Sequence, residues 1–242
     1  MTDDDNQNWD MLLIDVHIAA MSDPAGYGAI ENGALGLRAG RVAWVGPMAA
    51  LPDAPDRLSG DVIDCGQVWI TPGLIDCRTQ HPLLREGVTT TGMASERAAL
   101  HPELEDEERI KAMRAEGRVA VLLPADYYMA RAVPKAMVEK LRQYDVPMAL
   151  STGGEADSLL LAMQMGRHLL GLTPQEVLHG VTTHAAKALG IGGDIGSLEV
   201  GKGADIALWD IAHPDELTAQ LGGNPCLGVI KNGVLRRVKD YT

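Results

Sequence analysis

The stretch that most constrains the fold is a pair of short apolar runs interrupted by a proline and a glycine. Residues 68–70 (VWI) are apolar, Thr71-Pro72-Gly73 follows, and a second run, residues 74–77 (LIDC), comes directly after the break. Proline and glycine at the break favour a turn between two extended segments. The sequence therefore predicts that one domain ends here and that the first strand of a second domain begins.

Both ends of the chain carry the pattern of a β-sheet domain. Short apolar segments separated by Gly and Asp predict strands at residues 11–18, 33–40, 41–46 and 61–66, with a hairpin turn at Ala39-Gly40. A turn-rich segment and a hairpin around Asn232-Gly233 predict further strands after residue 194. We therefore expect residues 1–70 and 191–242 to form a small composite β-sandwich domain built from both termini.

Residues 71–190 change to an alternation of strands and helices. Apolar segments predict strands at residues 74–77, 88–91, 119–123 and 148–151, and helices at residues 102–116, 134–144, 158–170 and after a capping box at Thr173. Such alternation is typical of a parallel sheet. The segment has 120 residues, whereas a complete eight-stranded barrel has roughly 200 or more. The predicted fold class is therefore α/β, with a truncated (β/α) barrel-like parallel core of about four strands beside the composite domain.

The charge and the distribution of apolar residues argue against several classes of partner. With 33 acidic and 21 basic residues the net charge is −12, which argues against a nucleic-acid surface. No apolar run approaches the ~18 residues needed to cross a membrane, and the acidic start is unlike a secretory or mitochondrial address. We expect a cytoplasmic protein with no nucleic-acid or membrane partner. The absence of Phe would fit an engineered chain, a hypothesis that a natural relative also lacking Phe would contradict.

Several segments resemble the imidazolonepropionase family of the metal-dependent amidohydrolase superfamily. Residues 70–76 (ITPGLID) are similar to the start of the first barrel strand, and residues 196–210 (GSLEVGKGADIALWD) to the segment that closes the composite sheet. Residues 117–134, 159–190 and 220–234 are also similar to that family. The resemblance implies hydrolysis of a cyclic amide C–N bond, opening 4-imidazolone-5-propanoate to N-formimidoyl-glutamate in histidine degradation, with zinc or iron as the metal.

At the positions where the resemblance implies metal ligands, this chain carries other residues. The pattern PGLID-x-His-x-His places Arg78 and Gln80 where the family has two histidines, and Glu103 and Gly153 where it has a histidine and an aspartate. Residues i and i+2 of a strand face the same side, but an arginine brings a fixed positive charge that repels a metal. We therefore expect no catalytic residue, no metal and no cofactor as the chain stands, and the substrate-binding residues stay unknown.

A rebuilt metal site is an alternative for this region. His81 and His101 flank the expected ligand positions and could combine with Glu103 or Asp126. We expect Arg78 to pair with a carboxylate such as Asp76 or Glu105. Ordinary packing or surface roles are expected for the remaining histidines, which are His17, His168, His179, His184 and His213. His179 and His184 are five residues apart, a spacing that does not place them well on one helix face.

Two functions follow from these patterns. The first is an imidazolonepropionase-type hydrolase with a small-molecule substrate, inactive as it stands because its ligand positions are substituted. The second is a non-catalytic scaffold, a natural remnant or an engineered minimal fold with no metal and no substrate. Half a barrel also leaves two sheet edges that must be covered or paired, so a homodimer is a further hypothesis.

Overall fold

The computed structural model describes residues 8–79, 83–94, 96, 98–100, 106–132 and 134–237, with Arg237 described by its backbone alone. Its strands are β1 Met11–Ala19, β2 Ala29–Arg38, β3 Arg41–Pro47, β4 Val62–Asp64, β5 Trp69–Pro72, β6 Leu74–Asp76, β7 Arg78–Thr79, β8 Val88–Met93, β9 Ala98–Ala99, β10 Val119–Leu122, β11 Met148–Leu150, β12 Ile206–Trp209, β13 Cys226–Lys231 and β14 Val234–Arg237. Its helices are α1 Pro55–Leu58, α2 Glu107–Glu116, α3 Pro124–Met129, α4 Lys135–Gln143, α5 Leu159–Leu170, α6 Pro174–Gly180 and α7 Thr183–Leu189.

Strands from both ends of the chain form one sheet. The order is β14-β13-β12-β5-β1-β2-β3, with β4 beside β1. The hairpin predicted at Ala39-Gly40 is confirmed, since both residues have positive φ (51° and 72°), as a tight two-residue turn requires. A sheet built from both termini is therefore present, with its eight strands hydrogen-bonded in one sheet, and its packing as a sandwich stays a prediction. The domain boundaries at residues 70 and 191 stay predictions.

The junction between this sheet and the α/β part is packed around Trp209. Its side chain is fully buried, and its Nε1 donates to Thr71 Oγ1 over 2.9 Å. The indole ring lies where a Cβ on Gly87 would project, and Gly87 has a φ of +78°, a conformation that glycine adopts at no steric cost. Thr71 lies in β5 and Gly87 precedes β8, so this contact ties the composite sheet to the α/β part.

The α/β part contains all four predicted strands, but they do not form a single sheet. In the ranges described, β6 pairs in parallel with β8, whose other edge carries β7 antiparallel. The strands β9, β10 and β11 form a separate parallel sheet. A truncated barrel with four adjacent parallel strands is therefore not confirmed. The outer edge of β6 is met by α6, whose following residue Val181 accepts a hydrogen bond from Ile75 N over 2.8 Å.

The helices follow the predicted order, with one corrected start. The predicted helix 102–116 begins at Glu107, because Asp106 caps it and accepts a hydrogen bond from Glu108 N over 2.9 Å. The capping box at Thr173 is confirmed: Glu176 N donates to Thr173 Oγ1, and Thr173 N donates to Glu176 Oε2. Within the described ranges no helix combines the length and apolar character that crossing a membrane requires.

Candidate ligand site at the strand ends

A buried carboxylate links the ends of the two parallel sheets. Asp76 ends β6 and is fully buried. It accepts hydrogen bonds from Ser151 Oγ and from Thr152 Oγ1 (2.7 Å), both just beyond β11. Its Oδ1 also accepts from the backbone N of Arg78 (3.1 Å). Because buried polar groups are costly without partners, these bonds hold the carboxyl ends of β6 and β11 together.

Arg78 lies two residues after Asp76, and its side chain lines a cavity. It is half-buried in the short strand β7, where it pairs with Met93. Its backbone bonds Asp76, but its guanidinium forms no ion pair with that carboxylate, so the expected pairing with Asp76 is wrong. The other expected partner, Glu105, lies outside the described residues. Arg78 Nε is buried and meets no hydrogen-bond partner in the described part of the chain.

Asp126 occupies the space beside the position of the family aspartate. It lies in the first turn of α3, and a Cβ placed on Gly153 would be 2.5 Å from its Oδ1. Gly153 has a φ of +71°, a left-handed conformation that strains most other residues. Asp126 Oδ1 is buried and, among the residues described, accepts no hydrogen bond. A carboxylate is therefore present next to the substituted position, but it comes from another element.

Arg78 and Asp126 line the same cavity of about 290 Å³. Its remaining walls are apolar or aromatic and consist of Leu100, Leu123, Tyr127, Ala130 and Ala132. Burial raises the pKa of Tyr127 to about 12, so its phenol stays neutral at physiological pH. The cavity thus presents one fixed cation and one carboxylate on an otherwise uncharged surface, an arrangement suited to hydrogen-bonding a small polar molecule.

A metal of the kind implied by the resemblance does not fit the described residues at this edge. The guanidinium of Arg78 is always protonated and offers no lone pair, and Gly153 has no side chain. The oxygens of Asp76 are already engaged by Ser151, Thr152 and a backbone N–H. In the ranges that the structure describes, no three His, Cys, Asp or Glu side chains come together as a metal site. Gln80, His81, His101 and Glu103 lie outside these ranges, so the rebuilt site stays a prediction.

Two histidines meet in a way that their spacing does not suggest. His179 lies in the last turn of α6 and His184 lies in α7, and their rings stack with centroids 5.5 Å apart. The chain turns between the two helices, which brings the rings together although they share no helix face. His184 hydrogen-bonds Met148 O (3.0 Å) through Nδ1, and His179 bonds Gly26 O (2.9 Å) through Nε2. Both rings therefore have packing roles, as expected for histidines with carbonyl partners.

The sequence interpretation missed the network around Asp76 and the cavity beside Arg78. Ser151 and Thr152 directly follow a buried strand, and Asp76 lies within an apolar run. Hydroxyls and a carboxylate at the carboxyl ends of neighbouring strands are a signal that could have indicated this contact. The sequence indicates Asp126 only as a possible partner of His81 and His101 in a rebuilt metal site.

Comparison with known proteins finds relatives in sequence for part of the chain. Residues 135–236 match the Amidohydrolase family. The imidazolonepropionase of Shewanella baltica (strain OS223) is 48% identical over 140 residues, which cover 56% of this chain and 34% of that protein. The imidazolonepropionase of Shewanella sp. (strain MR-4) gives the same values. The chain thus spans about a third of the length of the curated relatives it matches.

Solved structures share the fold at low sequence identity. Guanine deaminase of E. coli has a TM-score of 0.73 at 13% identity, covering 93% of this chain and 98% of that chain. Ochratoxinase of A. niger has a TM-score of 0.73 at 12% identity, covering 95% and 96%. An adenosine deaminase from Xanthomonas campestris with bound zinc has a TM-score of 0.66 at 14% identity, covering 95% and 93%. In sequence, part of the chain resembles imidazolonepropionases, and residues 135–236 match the Amidohydrolase family.

Proposed function

We propose that the chain is an imidazolonepropionase-type hydrolase by descent and that it is inactive as it stands. Its relatives are named for the hydrolysis that opens a cyclic amide, and the 48% identity over 140 residues supports the same ancestry. One observation carries the inactivity: Asp126 Oδ1 lies 2.5 Å from where a Cβ on Gly153 would be, while Arg78 faces the same region. Arg78, which is a cation, and Gly153, which has no side chain, stand where the family has metal-binding residues.

The test combines metal content with turnover. Protein purified without added metal should contain much less than one zinc or iron per chain. It should not open the ring of 4-imidazolone-5-propanoate, with or without added zinc, under conditions in which the S. baltica imidazolonepropionase does. Ring opening that a chelator abolishes would overturn the proposal.

The second candidate is an active hydrolase with a rebuilt metal site. The identity to imidazolonepropionases favours it, and His81 and His101 would be its ligands together with Glu103 or Asp126. The family implies zinc or iron, and the related X. campestris adenosine deaminase has bound zinc. About one metal per chain, lost in a His81→Ala/His101→Ala variant, would establish this candidate. Metal retained by that variant would place the ligands elsewhere.

The architectural part of the proposal is a truncated (β/α) barrel-like core in a cytoplasmic protein that pairs as a homodimer. Two kinds of surface support pairing: β7 and β9 are short edge strands, and Tyr128, Met129 and Leu221 are exposed apolar side chains. Exposed sheet edges and apolar patches are the surfaces that a second copy covers. Light scattering after size exclusion should give twice the mass of 25.8 kDa, and a monomeric mass would remove the dimer.

A further inference from the structure

The cavity beside β7 contains two opposite charges that each keep one buried hydrogen-bonding atom without a partner in the described chain. Arg78 Nε–H is a donor, and Asp126 Oδ1 is an acceptor. Neither of these two atoms is the hydrogen-bond partner of the other, although Arg78 and Asp126 line the same cavity. Folded proteins pair nearly all such atoms with protein, water or ligand, so the space between them is built for a molecule that offers both an acceptor and a donor.

The size and walls of the cavity restrict that molecule. At about 290 Å³ it lies at the lower limit of small-molecule pockets. Beyond the two charges and the neutral phenol of Tyr127, the walls are the aliphatic side chains of Leu100, Leu123, Ala130 and Ala132. A ligand that fits therefore has a short apolar part and two polar groups, one that accepts and one that donates a hydrogen bond.

We propose that this cavity binds a small apolar α-amino acid as the zwitterion. The carboxylate of the ligand accepts from the guanidinium of Arg78, a charge-assisted pairing for which arginine is well suited. The ammonium group donates to Asp126, and the side chain lies against the aliphatic walls. A ligand with zero net charge leaves neither Arg78 nor Asp126 uncompensated, whereas a simple anion or a simple amine would serve only one of them.

This proposal does not depend on hydrolysis, because binding alone satisfies both groups. It concerns the side chain that replaces a histidine of the family pattern, so the same substitution that removes a metal ligand supplies the carboxylate partner. Failure of ring opening and failure of amino-acid binding are therefore separate results.

Isothermal titration calorimetry of the unmodified protein tests the proposal with three matched probes. L-Valine should bind with a Kd below about 1 mM. Its analogue without the ammonium group, 3-methylbutanoate, and its analogue without the carboxylate, 2-methylpropylamine, should each bind at least about tenfold more weakly. No heat with L-valine up to about 10 mM, or equal binding of either analogue, would overturn the proposal.

Variants assign the two contacts. Arg78→Gln and Asp126→Asn should each weaken L-valine binding by about tenfold or more, since each removes a charge-assisted bond. Arg131→Gln is the matched control, because Arg131 is exposed and lies between two cavity-lining alanines, and it should bind as the unmodified protein does. Circular dichroism verifies the fold of each variant. Unchanged affinity in both folded site variants would contradict the assignment, and if a variant fails to fold, the three probes on the unmodified protein decide.

Discussion

The carboxylate of Asp126 lies in the space into which a side chain on Gly153 would project, 2.5 Å from the position of its Cβ. The two residues come from different elements, α3 and the loop after β11. One fills a volume that the other leaves empty, so the substitution at Gly153 and the position of Asp126 are coupled. Restoring the family aspartate at residue 153 alone therefore does not restore the family geometry.

Gly153→Asp should destabilise the protein by about 2–5 kcal/mol. A left-handed backbone costs a non-glycine residue about 1–2 kcal/mol, and overpacking against Asp126 adds about 1–3 kcal/mol. Urea unfolding at neutral pH measures the change. Gly154→Asp is the control, since nothing lies within 4 Å of a Cβ there, and its effect should stay below about 0.5 kcal/mol. Equal losses at both positions would contradict the coupling.

Asp126→Ala should recover part of the loss caused by Gly153→Asp. The double variant removes the clash but keeps the left-handed backbone, so it should be more stable than the sum of the two single changes by about 1–2 kcal/mol. The measurement is a double-mutant cycle from urea unfolding. Strict additivity would mean that the two side chains do not compete for the same space.

Asp76→Ala should cost about 3 kcal/mol of unfolding free energy. It leaves the buried hydroxyls of Ser151 and Thr152 without their acceptor, and each buried unsatisfied group costs about 1–3 kcal/mol. Chemical denaturation checks the value. Asp64→Ala is a suitable control, because this carboxylate is exposed and accepts a local bond from Gly66 N, and its cost should stay below about 1 kcal/mol.

The sequence predicts strands and helices well because their signals are local. The Ala39-Gly40 hairpin, the Thr173 capping box and the four strands of the middle segment follow from turn chemistry, capping and apolar patterning. The helix predicted from residue 102 begins at Glu107, because Asp106 caps it. Helix propensity alone does not identify this capping residue. One sequence is thus enough to predict which segments are helices and which are strands. The residues at which they begin and end depend on individual hydrogen bonds.

The assembly of strands and the site are not local, and the predictions weaken there. Four parallel strands were expected to be neighbours, but β8 pairs with β6 and β7, and β10 with β9 and β11. Pairing depends on contacts between residues far apart in the chain, such as Asp76 with Ser151. The resemblance indicated that Arg78 and Gly153 matter, yet only the structure brings Asp126 to them. The sequence therefore indicates the substitutions at Arg78 and Gly153, but it does not predict that Asp126 lies beside them.

Lys231→Met should destabilise the protein by about 2–3 kcal/mol. Lys231 Nζ lies 2.5 Å from Asp205 Oδ2, and the carboxylate is buried while the lysine is one-third exposed. Removing one partner of a fully buried ion pair leaves an uncompensated charge and costs about 3–5 kcal/mol. Because Lys231 is partly exposed, the expected loss of unfolding free energy is smaller. Lys202→Met breaks the more exposed pair with Glu199 and should cost below about 1 kcal/mol. Equal effects of the two changes would show that burial of Asp205 is unimportant.

His184 should make the protein less stable in mild acid. Burial lowers its pKa from 6.5 to about 4, so between these values the unfolded chain binds a proton that the folded protein excludes. Stability contributed by the neutral ring is complete above pH 6.5, falls as the pH drops toward 4 and changes no further below that. Between pH 7 and 5 the loss from this group should be about 1–2 kcal/mol.

The contribution of His184 appears as a difference between proteins, because carboxylates titrate in the same range. Urea unfolding at pH 7 and pH 5 should show a smaller loss in His184→Asn than in the unmodified protein. Asparagine retains a donor for Met148 O but does not titrate, so it removes the proton linkage and keeps a hydrogen-bonding group. His168→Asn is the control, since His168 is exposed, and it should keep the pH dependence of the unmodified protein. An unchanged slope in His184→Asn would mean that another group excludes the proton.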